Sequence, residues 1–415
     1  MSKKKLLYAT SFRLYYAGMT FLFGVVVARL LGRDEFGLFS NYYAWLVLAI
    51  SVCQAGLPIF TVREVSSART DQEKKKVAGF VLVAAVVLSA FFGMLCSIFF
   101  VINGGLLPLL FWIVFSCITL SSALEAILRG NGYVIRGQAV ELLVRPTLNI
   151  LAVSAFAVIG AALSTNSIFV AIAFASVLCV IVSVILRQKE GRILLPGFNR
   201  GFFRSFKKVF SISLFGWVEA LSLQAAVIIL GSLALYSEAA DYRVAAQIAL
   251  LLVIMNKVFL ALQAPRYGSA IRDQDYSLQQ HLLSTSALYG LLFSLPLVMI
   301  IFLFGNDIIV VLFGKEYIGA GAPLKVLAVG QALVAMMGTL NIFAISLKVE
   351  RVATVLQAIG LVIGAGITFF LAASFGATGA AIGYISSVLI FKGALALLVF
   401  KKTGVMALPF IKGRL

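Results

Sequence analysis

Twelve stretches of about twenty apolar residues each follow one another along the chain, and a helix of that length spans the hydrocarbon core of a bilayer. They lie near 7–31, 39–61, 78–102, 105–128, 141–163, 168–186, 209–233, 240–264, 282–304, 319–346, 351–373 and 377–400. No other feature narrows the fold so far. In lipid every backbone amide and carbonyl must find its partner within the protein, which makes helices the way for such runs to cross. The eighth run carries Asp241, Arg243 and Lys257, and Pro323 and Lys325 interrupt the tenth, so these two depart most from a plain apolar span.

Composition agrees. Of the 415 residues 62% are hydrophobic and 12% charged, with a mean hydropathy of +1.06, whereas a soluble domain carries about a quarter charged residues. A polar exterior around one core of this size is not available from such a composition, and a lipid-facing surface removes the need for one. The expected fold is an all-α integral membrane protein of twelve transmembrane helices. Lys3, Lys4 and Lys5 precede the first run, but that run contains Arg13 and continues to Leu31 without a small-residue cleavage site, so it reads as a retained helix and not as a signal peptide.

Charge orients the spans, because Lys and Arg concentrate in short cytoplasmic loops. With both termini cytoplasmic, 25 of the 34 basic residues fall in inside segments, among them Lys74–Lys76 and the run from Arg187 to Lys208. The outside loops hold Arg33 and Lys315 alone, and the remaining seven lie within spans. One miscounted helix would invert every later loop. The net charge of +18 is thereby assigned to anionic lipid headgroups, and no nucleic-acid partner is expected.

Chemistry-bearing motifs are few. Cys53, Cys96, Cys117 and Cys179 all sit in apolar runs and read as buried small hydrophobes. His281 is the single histidine, and Gly314-Lys315 lacks the surroundings of a Walker loop. No catalytic residue, metal or cofactor is expected, and the chain reads as no enzyme.

The longest polar interval divides the chain into an N-terminal six-helix lobe at 1–186, a basic cytoplasmic linker at 187–208, a C-terminal six-helix lobe at 209–400 and a cytoplasmic tail at 401–415. The halves look related. At an offset of 203 residues, Glu35 after the first span falls on Glu238 after the seventh, Gly37 on Ala240 and Phe39 on Tyr242. Two such lobes of even helix number share an axis along the membrane normal, an arrangement that transporters use to bind substrate between halves.

Ionisable groups inside the spans are costly and usually face a partner or a cavity. Arg13 fits snorkelling to headgroups or a water-filled position equally well. Glu141 and Arg145 are four residues apart, as are Glu125 and Arg129, and both spacings predict intrahelical ion pairs with a gating role open to them. Arg243 and Lys257, 14 residues apart and so projecting alike, form with Gln247 and Asn256 a polar stripe facing a cavity; the alternatives are snorkelling for Lys257 and pairing of Arg243 with Asp241 or Glu238. Lys325 and Lys392 complete a candidate cationic lining with Arg13, Arg145, Arg243 and Lys257, suited to an anionic and above all a phosphate-bearing cargo. Glu219, in the seventh span, is the main feature favouring a cation cargo; with Glu125, Arg129, Glu141, Glu238 and Asp241 it makes up the gating or coupling candidates. Gly360/Gly364 and Gly379/Gly383 predict close helix packing, and Pro58, Pro108, Pro146, Pro296 and Pro323 predict bends.

The turn Ala28-Arg29-Leu30-Leu31-Gly32-Arg33-Asp34-Glu35-Phe36-Gly37-Leu38-Phe39-Ser40 resembles the first helix junction of the bacterial polysaccharide biosynthesis flippases, the Wzx-like branch of the multidrug/oligosaccharidyl-lipid/polysaccharide exporter (MOP) superfamily. Ile127-Leu128-Arg129-Gly130-Asn131-Gly132 and Leu312-Phe313-Gly314-Lys315-Glu316-Tyr317 fit the same resemblance, which covers essentially the whole chain. It implies a MATE-like fold of two six-helix lobes around a central cavity. It also implies a flippase in the bacterial cytoplasmic (inner) membrane that moves an undecaprenyl-diphosphate-linked oligosaccharide to the outer leaflet, with cavity arginines and lysines on the diphosphate. A polysaccharide polymerase and chain-length machinery are candidate further partners, and H⁺ or Na⁺ are candidate coupling ions. The two extra C-terminal spans of the lipid II flippase branch are not among the twelve. The main rival is an H⁺- or Na⁺-coupled multidrug or small-molecule antiporter of the same fold; a glycan polymerase would need a large outside loop, and every outside loop here is short. For topology, impermeant thiol reagents should find single cysteines at 70–76 and 187–208 inside and those at 164–167 and 306–316 outside; external labelling of 187–208 in a functional protein refutes the orientation.

Overall fold

The computed structural model describes residues 3–54, 56–101, 107–159, 163–188, 200–252, 266–347 and 349–406, and among them every long element is helical. The helices are α1 (Lys3–Leu31), α2 (Arg33–Gln54), α3 (Leu57–Ser67), α4 (Asp71–Val101), α5 (Leu107–Gly130), α6 (Val134–Ala139), α7 (Arg145–Val158), α8 (Thr165–Gln188), α9 (Arg200–Ser232), α10 (Tyr236–Ala249), α11 (Tyr276–Leu312), α12 (Gly321–Met336), α13 (Leu340–Ser346) and α14 (Glu350–Thr403). A π-helical turn, Val140–Val144, joins α6 to α7, and a 3₁₀ turn, Lys315–Ala320, leads into α12. Among the described residues nine helical stretches are long and apolar enough to cross a membrane. The chain is a multi-pass membrane protein.

Local sequence explains where helices begin and break. Thr70 and Glu73 cap α4 reciprocally, Glu73 N–H donating to Thr70 Oγ1 at 3.2 Å and Thr70 N–H to Glu73 Oε2 at 3.3 Å. Asp275 caps α11 by accepting from Leu278 N–H at 2.9 Å. The 54 residues of α14 would span about 81 Å if straight, far more than a hydrocarbon core about 30 Å thick. Gly376 interrupts them with φ 52° and ψ −130°, a conformation that suits a residue without Cβ. Three of the five prolines expected to bend helices instead start them: Pro58, Pro108 and Pro323 lie in the first turns of α3, α5 and α12, where a missing N–H costs little. Pro296 sits inside α11, and Pro146 follows the π turn within the continuous helical stretch Val134–Val158, where a proline marks a local distortion.

The chain divides into two compact units, one of Met1–Leu31 with Trp45–Trp217 and one of Gly32–Ala44 with Val218–Leu415. In the first, α5 is central, packing on α3, α4, α6 and α8, and two-thirds of its apolar stretch is buried in protein. In the second, α12 holds the equivalent place among α10, α11 and α14. α5 and α12 are the fourth and tenth apolar runs, six apart, as a duplicated half would have them. The glycines of α14 pack as expected: a Cβ on Gly364 would lie 2.7 Å from the Gly383 carbonyl oxygen, and one on Gly360 2.7 Å from that of Ser387.

Residues 32–44 cluster with the C-terminal unit, which the span count does not foresee, and the cause is a group of contacts at the start of α2. Arg33 grips the carboxylate of Asp241, Nη2 to Oδ2 at 2.6 Å and Nε to Oδ1 at 3.3 Å, and lies 3.7 Å from Glu238. Ser237 donates to Asp34, its partner 203 residues earlier. Gly37 touches the Tyr236 backbone so closely that any Cβ would collide with that carbonyl. Glu238 Oε2 accepts from Ala377 N–H at 2.8 Å, just past the Gly376 break, and the buried Tyr317 ring packs edge-on to Phe36 and Phe313. Four turns that the charge pattern assigns to the outside thus meet at one end of this unit. Arg33→Ala should destabilise the protein by about 3 kcal/mol, because it leaves the buried Asp241 carboxylate uncompensated; unfolding in detergent should show most of that loss recovered in Arg33→Ala/Asp241→Asn.

Candidate functional site

Within the N-terminal unit the charged residues pair between elements and not along them. Arg145, at the first position of α7, donates from Nη2 to Glu125 at 3.0 Å and to Ser121 Oγ at 3.1 Å, both on α5. Arg129 donates to Glu141 of the π turn, Nη1 to Oε2 at 3.4 Å. The i,i+4 spacings therefore predict the wrong partners. The π turn inserts an extra residue between Val140 and Arg145, so Glu141 and Arg145 no longer stand one above the other, and α5 presents Glu125 to Arg145 and Arg129 to Glu141. Glu125 is fully buried. Ser121 also donates to its Oε1 at 2.6 Å, and Ser183 of α8 lies 3.3 Å from Ser121. Arg13 is exposed on α1, and two residues on, Tyr15 bonds Thr147 of α7 at 2.8 Å.

The C-terminal unit treats its cations differently. Arg243, on α10, is neither a partner of Asp241, which Arg33 occupies, nor of Glu238. Its Nη1 donates to Gln224 of α9 at 3.3 Å and its guanidinium lies 5.9 Å from the Tyr43 ring centre. Among the described residues no carboxylate comes within ion-pair distance of it. One turn further, Gln247 leaves a buried side-chain oxygen without a partner, which fits the polar stripe; Asn256 and Lys257 lie outside the described residues. Tyr242 is buried beside Arg243, and Tyr384 of α14 hydrogen-bonds Gln331 of α12. Lys392 is 8% exposed in the last span with Glu219, exposed on α9, as the acid acting on it. Lys325 is half-buried, its ammonium 5.8 Å from the Phe302 ring centre. Cys53, Cys117 and Cys179 form no disulfide with one another, Cys53 accepting from Thr119, and the side chain of Cys96 lies outside the described residues.

Sequence reasoning missed Arg33, Tyr43, Gln224, Ser121 and Ser183. A signal existed for two of these: Arg33 precedes, by the 203-residue offset, the turn that bears Asp241, and Ser121 stands four residues before Glu125 on one helix face.

This helical architecture is similar to that of solved MOP-superfamily transporters. An inward-facing multidrug resistance MATE family transporter of that superfamily superposes with a TM-score of 0.72 at 17% identity, over 93% of this chain and 96% of the other. A Pyrococcus furiosus MOP transporter, described as having a binding pocket of reverse polarity that suggests a different function, gives 0.67 at 15% over 97% and 96%. A Vibrio cholerae MATE transporter gives 0.66 at 15% over 96% of each chain. No curated protein matches the sequence. Residues 2–263 match the model of the family described as "Polysaccharide biosynthesis protein". The chain belongs to that family, and its fold is that of a multi-pass membrane protein.

The crossed pairing is measurable by double-mutant cycles on unfolding in detergent. Glu125→Gln with Arg145→Gln should show a coupling of about 2 kcal/mol, and Glu141→Gln with Arg145→Gln one below about 0.5 kcal/mol.

Proposed function

We propose that this protein is a flippase that carries a polyprenyl-diphosphate-linked oligosaccharide, in bacteria an undecaprenyl-diphosphate one, from the cytoplasmic to the outer leaflet for surface polysaccharide assembly. Transport proceeds by alternating access between two lobes of six spans, with both termini cytoplasmic in the inner membrane. Twelve spans follow if the two segments of α14 on either side of Gly376 count separately and if α9, with its apolar Gly216–Ser232, and α10 supply the seventh and eighth. The observation that carries the cargo reading is Arg243, a half-buried guanidinium held by an amide and an aromatic ring, with no acid in ion-pair distance among the described residues. A cation so placed retains its charge for an incoming anion. Family membership supports the glycan part of the reading.

Arg243, Lys257, Lys325, Lys392 and Arg13 are the proposed cargo contacts, with Arg145 conditional on release from Glu125. Glu238 and Asp241, engaged with Arg33 and the Ala377 amide, hold the turn cluster and gate only if it opens. Glu125, Arg129, Glu141 and Glu219 remain the coupling candidates, with H⁺ or Na⁺ as the ion. A polymerase and chain-length machinery would receive the product.

The second reading, an H⁺- or Na⁺-coupled antiporter of drugs or small molecules, has the solved structures on its side: most of the similar folds are MATE transporters, the first of them a multidrug resistance protein. The exposed Glu219 carboxylate is the residue such a cation would seek. The fold itself is neutral between these cargoes, since one MOP relative is described as having a pocket of reverse polarity.

Purified protein in vesicles, assayed for leaflet exchange of a defined polyprenyl-diphosphate glycan and for uptake of organic cations, with and without H⁺ or Na⁺ gradients, separates the two. Arg243→Ala should slow glycan exchange about tenfold or more, the worth of a charge-assisted hydrogen bond. Arg243→Lys should slow it less, because charge survives while the planar fork is lost. Lys257→Ala should impair anionic cargo more than neutral analogues. Unchanged exchange in both alanine variants removes the cargo-contact role, and cation transport without glycan exchange establishes the second reading.

A further inference from the structure

Glu125 lies five residues before the end of α5 at Gly130, about 7.5 Å along the axis at about 1.5 Å per residue. Its two oxygens are used unequally. Oε1 accepts from Ser121 at 2.6 Å and from Arg145 at 3.0 Å, while Oε2, equally buried, has no partner. Arg145 spends Nη2 on Glu125 and Ser121, hydrogen-bonds Cys179 as well, and leaves its buried Nε unbonded. A full guanidinium–carboxylate pair engages two nitrogens and two oxygens, so Nε of the arginine and Oε2 of the acid are left out of this one. The backbone that positions Arg145 is the π turn Val140–Val144, an irregularity frequent where helices serve a function and adjust.

The charged and titratable groups around Glu125 come from several elements: Arg145 from α7, Arg129 from α5 itself, Glu141 from the π turn and Cys179 from α8. α3 and α4 meet this helix through an apolar cluster, with Leu57, Phe60, Val77 and Val81 packed near Ala123. Two carboxylates thus face two guanidiniums, with Glu125 fully buried and Glu141 partly exposed, and the charge balance is near zero. One added proton changes it to a net cation.

We propose that Glu125 is a proton-binding site and that proton uptake there frees the Arg145 guanidinium to hold the diphosphate of the cargo. A hydronium ion at the nearby membrane face gives its proton to Oε2: one O–H bond of the hydronium breaks as the O–H bond on Oε2 forms, water is left behind, and the carboxylate becomes a neutral acid. The attraction that held Arg145 falls with the lost charge, while the positive charge of Arg145 remains and is no longer cancelled. Ser121 goes on donating to Oε1 of the neutral acid, with Ser183 3.3 Å behind it. This couples a proton gradient to the availability of a cation in the N-terminal unit. Its second half rests on the flippase reading, and its first half does not.

Difference infrared spectroscopy of the full-length protein in phosphatidylethanolamine–phosphatidylglycerol vesicles detects a protonated carboxyl by its carbonyl stretch. On acidification the wild-type protein should gain such a band. Glu125→Gln should lack it, and Glu125→Asp should move it in frequency, which keeps the assignment testable if one variant folds poorly. Binding of farnesyl diphosphate, measured on the same vesicles against protein-free ones, should rise about tenfold over the same pH interval. Glu125→Gln should bind strongly at every pH, and Glu125→Gln/Arg145→Gln weakly at every pH. An acid-induced band unaltered by either Glu125 substitution overturns the proton site. Diphosphate binding that ignores both pH and Arg145, with the Glu125 band in place, overturns the release of Arg145. No diphosphate binding in any variant, again with the band in place, counts against the flippase reading and leaves the proton site standing.

Discussion

A carboxylate as buried as Asp241, with 1% of its side chain exposed, stays charged inside a membrane protein only if a cation and hydrogen bonds replace the water it has lost. Arg33 supplies both by offering two nitrogens to its two oxygens. The remainder of that end of the C-terminal unit is arranged around that grip. It fixes the start of α2 against the start of α10, which in turn requires Gly37 where the backbones touch and lets Asn41 donate to the Val227 carbonyl at 3.1 Å. Gly319 of the 3₁₀ turn presses so near Asp241 and Arg33 that a Cβ would disturb both side chains, and Glu238 then anchors the break in α14.

Those turns are the ones on which the resemblance to polysaccharide flippases rests. Arg33, Asp34, Phe36 and Gly37 in the first, and Phe313 and Tyr317 in the later one, are consumed by ion pairing, backbone approach and ring packing. Their chemistry is spent on holding helix starts together. A pattern of this kind identifies the fold and the family but carries little about the cargo, which is why family membership and the multidrug function of fold relatives can point to different substrates without contradiction.

The membrane class and helix content were legible because they depend on length and hydropathy, which are additive along the chain. The site was legible only in part. The basic residues within the spans could be found by position, yet their partners could not, since pairing depends on which helix faces which. Spacing assigned Glu141 to Arg145; one inserted π turn exchanged the partners. Spacing likewise made Asp241 a neighbour for Arg243, and the tertiary contact with Arg33 took it away. Three of the five prolines that predict bends serve as helix starts, because a helix boundary inside a continuous apolar run leaves no polar punctuation to mark it.

The two units dispose of a buried arginine in opposite ways, and the difference bears on what each is for. Arg145 is matched by a carboxylate, so the pair is close to neutral and its burial is offset internally. Arg243 is matched by the dipole of Gln224 and the face of Tyr43. An amide hydrogen bond and a cation–π contact are each worth about 1–2 kcal/mol at such sites, less than the several kcal/mol that desolvating a full charge costs. Packing alone would be served as well by an apolar side chain of similar volume, without that cost. The charge at position 243 therefore fits the proposed group whose compensation arrives from outside the protein, and an anion held against the guanidinium beside Gln224 and Tyr43 would supply it.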